Sequence, residues 1–494
     1  MNNRWTRWNI ILLSLVMLIG LGIRLFDLFE PPLDFHPVRQ LRSAVIARNF
    51  YYQMSPNISE EMRQTALRSV PNEVLEPPIF EAIVSGTYLL AGGEYLWLAR
   101  AWAILFWMIG GLALFLILRR YFSFPVSLLS LAFYLFLPFA IQASRAFQPD
   151  PFMVMWILLS ILALIRWTEK PTWLRAVVAG LIGGATILVK VTAGLFLAGT
   201  YAAIILFALG WKPTLRNLQV YAIAALTLLP TIIYYLLLNS GNSAGYFSFW
   251  TVSMSGMLLT SKFYLQWLTM IDSLISLTML IAALLGSLLA PPRFKPVLIG
   301  LWIGYIAYGL LWPFQYTTHN YYHLMLVPII ALGLAGLLET ILQRLNDSKL
   351  RWVALGIFVA MSAFSLWAAR SEMLVSDYSN EPESWRRVGV AIPVETHFAA
   401  LVNDYGVRLA YYGMRNADIY WPNSGDLQVQ ELRGVSIADY RAYFENNVVG
   451  VDLFLVAAFN ELENQPDLKQ ILSGYQVFYE GNGFILYDLT KPVQ

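Results

Sequence analysis

The chain has 494 residues, of which 58% are hydrophobic and only 13% are charged, with a mean hydropathy of +0.56. A soluble protein of this length could not bury so much apolar surface, so the composition predicts a polytopic membrane protein. The net charge of +2 gives no support for nucleic-acid binding. The chain contains no cysteine, which excludes disulfides, thiolate metal sites and cysteine nucleophiles.

Charge is distributed unevenly along the chain. Residues 1–370 carry 25 Lys and Arg against 14 Asp and Glu, whereas residues 371–494 carry 8 against 17. The last quarter is therefore acidic and resembles a soluble domain. We predict two domains, a transmembrane domain at 1–370 and a soluble domain at 371–494.

The first apolar run follows the basic N-terminal stretch MNNRWTRWN. This run is longer than the apolar region of a signal peptide, and no small-x-small cleavage pattern follows it, so we interpret it as a retained anchor. In chain order, runs of ~20 apolar residues predict about eleven membrane spans, at 9–28, 95–118, 124–142, 152–168, 174–190, 192–210, 217–239, 266–289, 297–314, 321–343 and 352–370.

The connections between these spans predict the orientation. With the N-terminus inside, every inside loop is basic, as the positive-inside rule requires. The short segment 79–92 carries Glu81, and counting it as a crossing would place Arg119 and Arg120 outside. We therefore predict a juxtamembrane or re-entrant helix within one large outer loop, 29–94. The expected location is the plasma (inner) membrane, with a cytoplasmic N-terminus and an extracytoplasmic C-terminal domain.

The first outer loop begins with FEPPLDFHPVRQLRSAVIARNF at 29–50. Pro37 is favoured in the first turn of a helix, so the pattern predicts a helix at 37–54. Asp34 and His36 then stand just before this helix, where either could serve only as its cap. The arginines at 42 and 48 have an equally simple interpretation as snorkelling or headgroup contacts.

Most other membrane-adjacent polar residues also fall on the predicted outer side, which favours one chamber opening outward over a path across the membrane. Simple interpretations remain open for several of them. Lys190 and Arg100 could be interfacial anchors, His323 a residue of the aromatic belt, and Asp150 a turn or helix start. The outer polar set comprises Arg145, Gln148, Asp150, Lys190, Asp272, His319 and His323.

Four further motifs follow in chain order: LEPPIFEAIVSGTYLLAGGEYLWLARAWA (75–103), SRAFQPDPF (144–152), AGLIGGATILVKVTAG (179–194) and HNYYHLMLVPIIALGLAGL (319–337). Together with Asp34 and its helix, this ordered set over residues 1–370 resembles the GT-C superfamily of membrane glycosyltransferases, in the protein O-mannosyltransferase and lipid A aminoarabinose transferase branch. One departure concerns the first loop, where many relatives have Asp-Glu and this chain has Asp34-Phe35-His36.

The resemblance implies transfer of a sugar from a polyprenyl-phosphate donor to a lipid, glycan or protein acceptor, with inversion at C1. Asp34 would act as base, with His36 and Asp150 as further catalytic residues; Asp150 would orient His36 or an arginine, or hold a divalent ion with Asp34. The cofactor is unknown, and a metal is left open. The candidates for binding the donor phosphate are Arg39, Arg145, Lys190, His319 and His323. The candidates for a substrate loop are Glu76, Gln148 and Tyr322. Residues 240–265 would form an outer flap.

The C-terminal segment alternates strand-like and helix-like patterns, which predicts a small α/β domain with a mixed sheet. Its last part, YQVFYEGNGFILYDL, has the pattern of a β-hairpin. We expect this domain to act as a lid or an acceptor-docking module. Two rival functions remain: a lipid or oligosaccharide transporter, which predicts inverted repeats and broken helices near mid-membrane, and a non-catalytic membrane scaffold.

Overall fold

A computed structural model describes residues 6–70, 76–239, 248–345, 348–434 and 437–493. The first eight residues of the predicted flap, 240–247, lie outside this description. The described residues form two compact units, each built from separate stretches of the chain. The helical unit draws on Met1–Phe29, Glu73–Val84 and Trp97–Ser376, and the α/β unit on Glu30–Asn72, Ser85–Leu96 and Asp377–Gln494.

The helical unit consists of apolar helices joined by short connections. In chain order, its α-helices are Arg7–Leu25, Leu96–Leu118, Phe124–Phe136, Pro138–Ala143, Pro149–Glu169, Trp173–Val189, Ala193–Leu209, Trp211–Thr214, Leu218–Ile233, Ser261–Ile275, Leu277–Leu289, Lys295–Leu311, Pro313–Thr318, Leu326–Arg344 and Ser348–Met373. Short π-helical and 3₁₀ segments lie at Tyr234–Leu238, Ser248–Val252, Ser255–Leu259 and Asn320–His323.

Every predicted span falls on an apolar helix of this unit. Six helices are long and apolar enough to cross a bilayer, or seven if the bent pair at 261–289 is one span. The other four predicted spans correspond to helices of 13–17 residues. The segment 79–92 forms the short helix Ile79–Ala91, as predicted. The protein is a multi-pass membrane protein.

Two predicted spans are broken rather than continuous. The span at 124–142 breaks before Pro138, because a proline cannot continue the hydrogen-bond ladder of the preceding helix. The span at 266–289 bends by 92° at Ser276, which has a φ of 77°. Asp272 accepts a hydrogen bond from the Leu277 amide at 2.9 Å, and the Ser276 hydroxyl accepts one from the Met279 amide. These side chains satisfy amides that the break would otherwise leave unpaired.

The α/β unit contains the helix predicted after Asp34, which runs from Pro37 to Met54 with proline in its first turn. The apolar residues Leu41, Val45 and Tyr52 of this helix are buried, and Val38 is half-buried. The remaining helices are Glu60–Arg68, Glu381–Ala391, Val407–Tyr412, Ser424–Leu432, Tyr440–Asn447, Phe459–Glu463 and Pro466–Leu472, with a 3₁₀ turn at Asn403–Gly406. The helices at 381–391 and 424–432 were not predicted.

A mixed sheet, as predicted, forms the centre of this unit and has five strands. The strands are β1 Phe398–Leu401, β2 Ile419–Tyr420, β3 Leu453–Val456, β4 Tyr475–Gly481 and β5 Phe484–Pro492, in the order β2-β1-β3-β5-β4. The pairs β1–β2 and β1–β3 are parallel, whereas β3–β5 and β4–β5 are antiparallel. The last pair is the predicted hairpin.

Helices cover both faces of the sheet. Alternate residues of β1 and β3 point into two separate cores, so all four residues of each strand are buried. Trp385 and Leu409 belong to one core, and Trp421 and Phe444 to the other. Burial on both sides explains why these two strands are continuously apolar in sequence.

Candidate active site

A buried ion pair lies in the helical unit between two predicted site residues. Lys190 directly follows the helix Trp173–Val189 in extended conformation, and Asp150 occupies the first turn of the helix Pro149–Glu169. The Lys190 Nζ donates to Asp150 Oδ1 at 2.7 Å, and the two side chains are only 4% and 1% exposed. An isolated charge at either position would be very costly, so each side chain compensates the other.

Two tyrosines enclose the same ammonium group. The Lys190 Nζ lies 5.6 Å from the ring centre of Tyr321 and 5.2 Å from that of Tyr322. Both tyrosines belong to the 3₁₀ turn Asn320–His323 and are buried. Aromatic faces attract cations, so three distant segments of the chain converge on one positive charge.

Hydrogen-bonding capacity remains beside this ion pair. Among the described residues, none bonds to Asp150 Oδ2 or to either amide atom of Gln148, although both side chains are fully buried. Buried polar atoms are normally satisfied. Gln148 and Asp150 therefore carry polar atoms that pair with no described residue, and Asp150 carries its atom beside Lys190.

These contacts correct the simple interpretations of Lys190 and Arg100. Neither is an interfacial anchor, since Lys190 is buried in the ion pair and Arg100 is 1% exposed. The Arg100 guanidinium donates to the main-chain oxygen of Asp27 at 3.2 Å. Asp150 does begin a helix, as one alternative proposed, but its side chain pairs with Lys190.

Arg145 is also buried, but its contacts differ from those of Lys190 and Asp150. Its Nη2 donates to the Asp27 main-chain oxygen at 2.8 Å, and its Nη1 contacts the Met373 sulfur. Nearby, Arg24 donates to Ser144 Oγ at 2.7 Å. Sequence analysis missed Arg24, because one arginine near the end of a first span has the pattern of an ordinary flanking charge.

His323 is completely buried and engaged through both ring nitrogens. Nε2 faces the Tyr316 main-chain oxygen at 2.8 Å, so it carries the proton and donates, and Nδ1 accepts from the Tyr305 hydroxyl at 2.7 Å. In this neutral tautomer, His323 joins the 3₁₀ turn by hydrogen bonds to the helices Lys295–Leu311 and Pro313–Thr318. The belt interpretation of His323 is wrong, and neither nitrogen remains available for a donor phosphate in this arrangement.

The other predicted residues of the helical unit differ in exposure. His319 is half-buried, contacts Thr318 Oγ1 at 2.7 Å, and packs edge-on against Tyr322 with ring centres 6.1 Å apart. Glu76 is half-buried and interacts electrostatically with Tyr234 and Tyr235. His319 thus contacts the tyrosines around Lys190, whereas Glu76 interacts with the π-helical segment Tyr234–Leu238.

In the α/β unit, Asp34 is exposed within a tightly held turn. Its neighbours Leu33 and Phe35 are buried at 3% and 5% exposure. Gln40 donates to the Phe35 main-chain oxygen at 2.6 Å, which fixes the turn against the helix that follows. His36 occupies the N-cap position with a φ of 47°, but its side chain makes no capping bond. The structure therefore presents the Asp34 carboxylate rather than burying it.

Arg48, interpreted from sequence as a headgroup contact, instead belongs to a buried cluster of the α/β unit. Its Nε lies 3.0 Å from both carboxylate oxygens of Glu94, and its Nη1 donates to the Tyr411 main-chain oxygen at 2.6 Å. The Tyr411 ring lies 3.8 Å beneath the guanidinium. Burial alone lowers the pKa of Arg48, but Glu94 and Tyr411 outweigh it and raise that pKa above its ordinary value.

Comparisons with known proteins agree with the resemblance. Residues 75–236 match the sequence model of the family described as dolichyl-phosphate-mannose-protein mannosyltransferase. No curated protein sequence matches the chain significantly. The crystal structure of ArnT from Cupriavidus metallidurans bound to undecaprenyl phosphate is similar, with a TM-score of 0.56, 14% identity and 98% of each chain covered.

The archaeal oligosaccharyltransferase AglB from Archaeoglobus fulgidus, in complex with an inhibitory peptide and a dolichol-phosphate, is similar too. Its TM-score is 0.59 at 13% identity, over 97% of this chain and 74% of that one. These likenesses define the class: the chain is a multi-pass membrane protein with the GT-C fold. The partial match over residues 75–236 and the fold shared with ArnT and AglB confirm, at the level of the fold, the resemblance drawn from the motifs.

Proposed function

We propose that the protein is a glycosyltransferase that moves a sugar from a polyprenyl-phosphate donor to a lipid, glycan or protein acceptor, with inversion at C1. The reaction would take place on the extracytoplasmic face of the plasma membrane, with the N-terminus in the cytoplasm. The observation that carries the proposal is the buried Lys190 ammonium, paired with Asp150 whose second carboxylate oxygen is unused, within a GT-C fold. The undecaprenyl phosphate and dolichol-phosphate held by the two similar proteins support a phosphate-linked lipid donor.

Lys190 is assigned to the leaving phosphate. An ammonium carries three donors, and Asp150 accepts only one of them. As the bond between C1 and the phosphate oxygen breaks, its electron pair stays on the phosphate, and a nearby cation stabilises the growing charge. Asp150 then positions Lys190, with Tyr322 and His319 beside it. Arg39 and Arg145 stay predicted phosphate contacts, and Glu76 stays a predicted substrate-loop residue.

Asp34 is assigned as the general base. When the acceptor oxygen or nitrogen attacks C1, it loses a proton that a carboxylate can accept. An exposed carboxylate on a rigid turn is accessible to an incoming acceptor, and Leu33 and Phe35 hold that turn in place. Many relatives have glutamate directly after the aspartate, whereas this chain has Phe35 there. His36, two residues after Asp34, is proposed to assist the base in place of that glutamate.

Replacement of the base tests the proposal. Asp34→Asn removes the proton acceptor with little change in shape, and we expect transfer to fall at least ~10²-fold, the usual contribution of a general base. Asp467→Asn, at another exposed carboxylate of the same unit, is the matched control. The measurement is release of polyprenyl phosphate from a radiolabelled polyprenyl-phosphate sugar by the detergent-solubilised protein. Unchanged turnover in Asp34→Asn would remove Asp34 from the mechanism.

One observation favours the rival function of a lipid or oligosaccharide transporter. The 92° bend at Ser276 is the kind of broken helix that transporters use, whereas the sequence predicted a continuous span. Reconstituted liposomes separate the two functions. Movement of an intact polyprenyl-phosphate sugar between leaflets, with no polyprenyl phosphate released, would support the transporter and contradict the transferase.

A further inference from the structure

A cavity of about 220 Å³ lies within the α/β unit, and none of its lining residues is assigned to the proposed active site. Its walls come from the end of the helix Glu60–Arg68, from residues 393–398 before and at the start of β1, and from residues 414–418 before β2. The first outer loop and the C-terminal segment thus both contribute to it. Concave sites with a few convergent polar groups are the usual places for small ligands.

The lining is rich in hydrogen-bonding groups of both kinds. Arg68 and Arg415 supply donors, Glu395 and Asp418 supply acceptors, and Asn416 supplies both. The formal charges of these two arginines and two carboxylates cancel. A strongly anionic ligand would meet the carboxylates and a cationic one the arginines, whereas a neutral polyhydroxyl ligand can donate to one set and accept from the other.

The polar wall is held in place by its own contacts. Asp418 Oδ2 accepts from the Phe398 amide at 2.8 Å, and its Oδ1 lies 3.3 Å from His397 Nδ1. Asn416 Nδ2 donates to the main-chain oxygen of Arg68 at 3.3 Å, which joins the two sides of the cavity. A fixed array of donors and acceptors is what selective recognition of hydroxyl groups requires.

Two residues of the lining have a backbone conformation that L-amino acids rarely adopt. Glu395 has a φ of 69° and Met414 a φ of 52°. Such conformations cluster at functional sites, where the surrounding structure holds them. Both positions therefore add to the case that this cavity is a binding site.

The cavity is connected to the helix that follows Asp34. The Met414 sulfur accepts from Arg48 Nη1 at 3.0 Å. Arg48 stands eleven residues beyond Pro37, which corresponds to ~16 Å along the helix axis. A molecule that occupied the cavity and also reached Asp34 would therefore have to be longer than one sugar ring.

We propose that this cavity binds a neutral saccharide, as a remote subsite for an extended acceptor glycan. The inference rests on the proposed function and narrows it, because it selects a glycan-bearing acceptor over a lipid or protein without sugar. The charge-balanced lining, the fixed donors and acceptors, and the distance from Asp34 all favour a hydroxyl-rich chain of several units.

Saturation-transfer NMR on the full-length, detergent-solubilised protein tests the subsite. The probes are neutral trisaccharides of glucose, galactose and mannose, with tetra-alanine as a peptide probe. We expect at least one trisaccharide to bind, and its affinity to fall about tenfold in Arg415→Ala and in Glu395→Ala, because each removes a charged hydrogen-bond partner. Arg441→Ala, an exposed arginine of the same unit outside the cavity, is the control and should bind as the unmodified protein does.

Several outcomes would overturn the inference: no trisaccharide binds, tetra-alanine binds instead, or both cavity variants retain full affinity. Glu395 is exposed, so its variant tests binding even if Arg415→Ala fails to fold. The assay contains no donor. Lost saccharide binding with intact Asp34-dependent transfer would contradict the subsite alone, and saccharide binding without any transfer would contradict only the proposed function.

Discussion

At the scale of single residues, the Lys190–Asp150 pair combines a structural and a functional demand. Each charge is buried and depends on the other, so neither can be removed without leaving an uncompensated partner. Sequence analysis selected both residues but did not pair them, because they lie forty positions apart, at the ends of different helices. Only the packing of those helices brings the two side chains to 2.7 Å.

Lys190→Met should therefore lower stability by about 3–5 kcal/mol, the usual effect of breaking a buried ion pair. In Lys190→Met/Asp150→Leu, both charges are gone, and stability should recover at least in part. Thermal unfolding in detergent measures this difference. A single variant as stable as the double variant would contradict a buried pair.

The same two variants distinguish a purely structural role of Lys190 from a role in binding the donor phosphate. If Lys190 binds the donor phosphate, use of the polyprenyl-phosphate donor stays impaired in the double variant, although its stability has recovered. Initial rates over a range of donor concentrations provide the measurement. Normal donor use in the double variant would return Lys190 to a purely structural role.

At the scale of helices, glycines decide how closely some spans pack. A Cβ atom on Gly336, in the helix Leu326–Arg344, would overlap the main-chain oxygen of Gly286 in the helix Leu277–Leu289. Small residues at such crossings allow two backbones to approach in a membrane. The helix that carries Gly336 begins just after the turn of Tyr321 and Tyr322, so its placement also affects the surroundings of Lys190.

Gly336→Ala should accordingly destabilise the protein by about 1–3 kcal/mol, because the added methyl group forces two main chains apart. Gly356→Ala, in the helix Ser348–Met373, is the matched control, since a Cβ there meets no atom within 4 Å. Thermal unfolding in detergent should show a lower transition temperature for Gly336→Ala and an unchanged transition temperature for Gly356→Ala. Equal effects would contradict a close crossing at Gly336.

At the scale of the molecule, each of the two compact units is assembled from stretches that are separate in the sequence. The α/β unit collects parts of the first outer loop together with the C-terminal segment. Within it, Arg48 and Glu94 from the loop meet Tyr411 from the C-terminal segment. The loop and the C-terminal residues therefore stabilise each other, and neither is a plain connection.

Arg48→Met leaves the Glu94 carboxylate buried without its cation, so the α/β unit should lose about 3–5 kcal/mol. Arg48→Met/Glu94→Gln removes both charges and should be less affected. Limited trypsin digestion followed by mass spectrometry measures the opening, with cleavage after Arg39 and Arg63 as the readout. Arg441→Met, at an exposed arginine, should leave the digestion pattern unchanged.

The sequence by itself determined which segments are apolar helices, where the mixed sheet and its hairpin lie, and which family the chain resembles. These properties follow from local hydropathy, alternation and proline or glycine positions, which neighbouring residues specify. The pairing of Lys190 with Asp150, and of Arg48 with Glu94 and Tyr411, was decided only by tertiary structure. Their energies depend on partners dozens to hundreds of residues away, and a charge looks alike in sequence whether it faces water or a buried counter-ion.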